Sequence, residues 1–164
     1  MTDLTSSTTQ LQSEKIVLTW EQLILGIVLT IGSILRLGNL GQTPLSPAEA
    51  ENAWGIWQYW QPGTAERLPE ISSAAWFTVT ALLSQILGDS DFVMRLVPAI
   101  AGMMTVWAVA YFRPLVGRMG ILVAAGLMAL SPLLVSASRM ANGNSLSILA
   151  IVMVAGLWLK YRQT

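Results

Sequence analysis

The segment Ser72–Leu87, SSAAWFTVTALLSQIL, decides how often this 164-residue chain crosses a membrane. It is apolar enough for a helix, yet it carries Ser73, Thr78, Thr80, Ser84 and Gln85. It runs for about 16 residues where a span needs about 20. Gly88-Asp89-Ser90-Asp91 closes it. Four stronger apolar stretches surround it, at 16–37, 92–112, 119–135 and 145–159. The first is apolar throughout from Leu23 to Leu35, with Glu21 near its start and Arg36 near its end, both within reach of an interface.

Loop charges settle the role of the short segment, because short cytoplasmic loops favour Lys and Arg. If Ser72–Leu87 crosses, there are five spans, and Arg113, Arg118, Lys160 and Arg162 fall on the side opposite Lys15. If it lies along the surface, there are four spans and all five cations share the inner side. The sequence therefore predicts an all-α integral membrane protein with four transmembrane helices, an outer loop over 38–91 and both termini cytoplasmic. Residues 1–15, rich in Ser and Thr, read as a flexible tail. The apolar run after Lys15 is too long for a cleaved signal, so it is retained as a helix.

The composition agrees. Hydrophobic residues make up 54% and charged residues 11%, where soluble domains carry about 25% charged residues. The chain contains no Cys and no His. That excludes disulfides, thiolate catalysis and any His- or Cys-ligated cofactor. Nine basic residues balance nine acidic ones, so the basic footprint of a nucleic-acid binder is missing.

Within the outer loop, Ser46-Pro47-Ala48-Glu49 is a capping box with Pro at the first helical position. It predicts a helix over 47–60, with Ala53, Ile56, Trp57 and Trp60 on one face. Trp54, Trp57 and Trp60 suit packing at the membrane interface. A second juxtamembrane helix is expected over 72–87. Arg113–Arg118 reads as a short basic turn and 136–144 as a short polar turn. Asn142-Gly143-Asn144 has turn chemistry.

The order of these parts resembles the start of the GT-C glycosyltransferases, in the protein mannosyltransferase and aminoarabinose transferase branch. Arg36-Leu37-Gly38-Asn39-Leu40 ends the first span. Leu45-Ser46-Pro47-Ala48-Glu49-Ala50 stands where that family has a Pro-Asp-Glu-Ala-like motif. Phe92-Val93-Met94-Arg95-Leu96-Val97-Pro98-Ala99 is similar to its "RLPSA"-like span start. Leu130-Ser131-Pro132 and Ser138-Arg139-Met140-Ala141 are similar to the stretch before its second acidic site. The similarity covers roughly 16–162, about the first third of such an enzyme.

The resemblance implies a module of a bacterial plasma-membrane enzyme that moves a sugar from a polyprenyl-phosphate carrier to an acceptor at the outer face. A carboxylate there takes the acceptor's proton, a cation or divalent metal steadies the leaving phosphate, and apolar grooves hold the lipid tail beside the lipid bilayer. Glu49 is the candidate catalytic acid. Arg139, Asn144, Glu51 and Arg95 are candidate substrate-binding residues. No metal ligand is assigned. Two departures stand out: the family's first-loop Asp is Ala48, and its second acid is Asn144.

Structural readings stand beside these. Glu49 completes the capping box, Glu51 is a solvated acid, and Arg139 is an interfacial anchor. Arg95 pairs with Asp89 or Asp91. Small residues (Gly102, Gly117, Gly120, Ala124, Ala125, Gly126, Gly156) suit close helix packing, which fits a non-catalytic accessory subunit beside other membrane subunits.

Overall fold

The computed structural model describes residues 19–61 and 73–163. The tail 1–15 with Lys15, the first residues of the expected first span, the loop residues Pro62, Glu66, Pro69 and Glu70, and Ser72 lie outside the described residues. So does Thr164. The elements are α1 (Trp20–Leu37), α2 (Pro47–Trp60), α3 (Ala74–Leu87), α4 (Asp91–Ala108), a 3₁₀ turn (Val109–Phe112), α5 (Arg113–Leu130), α6 (Pro132–Arg139) and α7 (Asn144–Gln163). The described residues are helical, with no strand among them.

Three stretches are long and apolar enough to cross a membrane: Trp20–Leu37, Asp91–Leu130 and Asn144–Arg162. The middle one folds back on itself. Near its start, Arg95 bonds the carbonyls of Leu40 and Thr43 just past α1. Near its end, Met128 and Ala129 accept from Arg36 in the last turn of α1. Its middle lies at the other end of α1, where Glu21 meets Arg113 and Arg118. The reversal falls in the 3₁₀ turn and at Gly117, whose φ of 71° no ordinary side chain favours. The expected basic turn 113–118 is thus a helical segment with one glycine kink.

Prolines set two further features. Pro132 cannot donate to the carbonyl four residues earlier, so α5 stops at Leu130 and the chain restarts as α6. The expected apolar stretch 119–135 is therefore two helices, and the polar turn shrinks to 140–143. The Met128 carbonyl that Pro132 leaves open takes Arg36 Nη2 at 2.8 Å, and Ala129 takes Nη1 at 3.0 Å. Arg36, expected at an interface, is instead 1% exposed and caps α5. A cation suits that end of a helix because its carbonyl dipoles are negative. Pro98 does the same inside α4, where it leaves the Met94 carbonyl without its helical donor. The buried indole N–H of Trp76 donates to that oxygen at 3.4 Å.

Small residues let the helices approach. A Cβ on Gly32 would sit 3.0 Å from that of Ala129, and one on Gly102 would run into Ser138. The α3 helix has 14 residues, about 21 Å of rise, short of the roughly 30 Å hydrocarbon layer. It buries Trp76, Phe77, Thr80, Ala81 and Ser84. Ile56 of α2, Met94 and Val97 of α4, and Ala141 complete that apolar cluster.

Candidate functional site

The Ser46–Glu49 capping box forms as the sequence predicts, and the N–H of Ser46 donates to Glu49 Oε2 at 2.9 Å. Pro47 at the first helical position points the first turn of α2 inward, and Glu49 is buried. Its carboxylate then receives three further donors. Arg95 binds it in a bidentate fork, Nε to Oε1 and Nη2 to Oε2, both at 2.9 Å. The N–H of Ala141 donates to Oε1 at 2.8 Å. One turn along α2, Asn52 Nδ2 donates to the carbonyl of Ala141 at 3.1 Å. Both backbone groups of Ala141, a residue with 0% exposure, are thus held by α2.

Arg95 uses every nitrogen. Besides Glu49, Nη1 donates to the Leu40 and Thr43 carbonyls and to Thr43 Oγ1, and Nη2 donates to the Pro44 carbonyl. The expected pairing with Asp89 or Asp91 is not what forms. Those acids lie at the N-terminus of α4, and the fold brings Glu49 onto the guanidinium instead. Glu49 and Arg95 together therefore fix the 40–44 loop, the start of α2, the start of α4 and the turn before α7.

This environment sets the proton affinity of Glu49. Burial by itself raises a carboxyl pKa, but the Arg95 fork and the Ser46 and Ala141 donors outweigh it, and the pKa falls to about 2. A carboxylate at that value, with four donors on two oxygens, is a weak base.

The other sequence-derived candidates spread out. Arg139 is half-buried and spends two donors on the Leu35 and Asn39 carbonyls, at 2.9 and 3.3 Å, closing the end of α1. Asn144 is exposed; its backbone N–H donates to Asn142 Oδ1, which makes the turn into α7. Glu51 is exposed on α2. The expected face of α2 divides: Ile56 is buried and Ala53 packs against the core, while the Trp residues stay exposed. Glu49, Gly55 and Ile56 are buried, while Trp54, Trp57 and Trp60 stay exposed. Asn52, Arg36 and Trp76 were missed from sequence, although Pro98 and Pro132 each announce a carbonyl in need of a donor. At Glu49 the divalent metal implied by the resemblance does not fit. Among the described residues no three of His, Cys, Asp or Glu gather, and both Glu49 oxygens are occupied by N–H donors.

Three helical stretches long and apolar enough to cross a membrane mark a polytopic membrane module, and the family match makes it glycosyltransferase-like, of the GT-C type. Residues 73–164, more than half of the chain, match the family described as dolichyl-phosphate-mannose-protein mannosyltransferase, and the chain belongs to that family. Glu49 lies outside the matched stretch; Arg95 and Ala141 lie inside it. No curated protein and no solved structure matches the chain.

Proposed function

We propose that this chain is the membrane module of a transferase that uses a polyprenyl-phosphate sugar at the outer membrane face. In this reading it crosses the membrane four times, with α2, α3 and the 140–143 turn outside. The single observation that carries the proposal is the convergence on Glu49. Three separate stretches of family resemblance, 45–50, 92–99 and 138–141, meet at one carboxylate. Glu49 serves there as the clamp that positions the outer loop rather than as the base. The carboxylate position beside it is the exposed Ala48.

The test uses the native polypeptide in proteoliposomes with radiolabelled polyprenyl-phosphate mannose. Saturable retention of the labelled lipid, competed by unlabelled polyprenyl phosphate, supports the proposal. Folded protein that retains none overturns it. A second reading, a non-catalytic accessory subunit of the same descent, rests on Ala48 and on the full engagement of Glu49. It predicts co-purification in fixed ratio with other membrane subunits and no sugar transfer by the resulting complex.

A further inference from the structure

A cleft of about 290 Å³ opens between α2 and the start of α4. That is just under the roughly 300 Å³ at which small-molecule sites begin. Trp54 and Trp57 form one wall, their rings stacked 4.6 Å apart with 24° between planes. Leu45, Ala53 and Met94 line it as well, with Asp89, Ser90 and Asp91. Both indoles stay exposed, at 56% and 41%.

The lining is chemically one-sided. It contains two carboxylates and no Lys or Arg. The neighbouring cation, Arg95, is forked to Glu49 and also feels the charge of Asp91, but it does not line the cleft. Among the described residues neither Asp89 nor Asp91 has a salt bridge. An anionic ligand is therefore disfavoured, and a cationic one would add to the compensation that Asp91 draws from Arg95 and from the N-terminus of α4. Aromatic rings and carboxylates sharing one cleft suit an organic cation, since ring faces carry negative charge and attract ammonium groups.

We propose that the Trp54–Trp57–Asp89–Asp91 cleft binds an organic ammonium group. Its charge faces the two carboxylates and its alkyl substituents lie on the indoles. Such a group is carried by a zwitterionic lipid headgroup or by a soluble amine.

The experiment uses the full chain in nanodiscs and choline as the probe, with displacement of radiolabelled choline as the readout. The uncharged isostere 3,3-dimethylbutanol is run beside it. Nanodiscs of phosphatidylglycerol and of phosphatidylcholine separate the two sources. Saturable choline binding in phosphatidylglycerol alone assigns the site to a lipid headgroup, which competes in phosphatidylcholine. Binding in both assigns it to a soluble amine. Affinity falls about tenfold or more in the D89N/D91N double variant and in Trp57→Leu. Trp57→Leu keeps the assay interpretable if the acid variant folds poorly. Absence of saturable binding in both discs overturns the proposal. So does equal binding of the isostere, or an unchanged affinity in folded D89N/D91N.

Discussion

Replacing Glu49 by Gln keeps the side chain's shape and removes its charge. The buried Arg95 guanidinium then loses its counter-ion, and one of the two oxygens becomes an NH₂ that faces donors. The size of the loss follows from the environment of the carboxylate. Its pKa falls from 4.5 to about 2 in the folded chain, which is worth about 3 kcal/mol. Breaking a buried, hydrogen-bonded pair from one side costs a comparable 3–5 kcal/mol or so. We therefore expect Glu49→Gln to lower stability by about 3 kcal/mol. The folded pKa is depressed, so this stabilisation is present above the unfolded value of 4.5 and is lost as pH falls toward about 2. Wild-type stability should fall across that window, and Glu49→Gln should flatten the fall. The assay is unfolding of the detergent-solubilised chain, followed by Trp fluorescence at several pH values. Adding Arg95→Met to Glu49→Gln should cost less than the sum of the single losses, because the orphaned cation disappears with its partner. A Glu49→Gln protein within about 0.5 kcal/mol of wild type, or one that keeps the full acid dependence, would refute the clamp.

Trp76→Phe should cost about 1–2 kcal/mol beyond lost packing, because the Met94 carbonyl loses its donor. In a Pro98→Ala background the cost should shrink, since a backbone N–H then serves that oxygen; the same unfolding assay measures both. Thr80 is fully buried, and its Oγ1 has no partner among the described residues. Thr80→Val should therefore raise stability by about 1 kcal/mol, and a loss would show that the hydroxyl is bonded. Gly102→Ala should cost about 1–3 kcal/mol by forcing α4 from Ser138. Ala48→Asp places an unengaged carboxylate beside the clamp, and sugar transfer in proteoliposomes should rise above the wild-type rate.

What the sequence revealed and what it hid divide along the range of the interactions. The bounds of α2 at Pro47 and Trp60 were legible because Ser46, Pro47 and Glu49 act within one turn. The shortness of α3 was legible from length alone. The end of α5 was misplaced although Pro132 stood in plain view, because the apolar pattern runs on past it to Val135. Arg36 looked like an interfacial cation, since nothing in α1 reveals that carbonyls 92 and 93 residues away will need it. Arg95 was expected to take a nearby acid, and the fold gave it one 46 residues away. In α2 the apolar spacing marked Ile56, which is buried, but not the polar Glu49, which is buried with it. Glu49 and Asn52 bond Ala141 in the 140–143 turn, a contact no local pattern announces.

The proposed four-crossing arrangement brings the Glu49 loop and the Ala141 turn to one side of the membrane, and its direct test is site-specific labelling. The chain contains no Cys, so a single Cys can be placed in turn at Ala48, Asn144 and Met119, all exposed. With an impermeant maleimide on intact cells, Ala48→Cys and Asn144→Cys should react. Met119→Cys, at the Glu21 end of the bundle, should react only after permeabilisation. Reaction of Met119→Cys in intact cells, or of only one of the other two, would contradict the arrangement and the clamp's place in it.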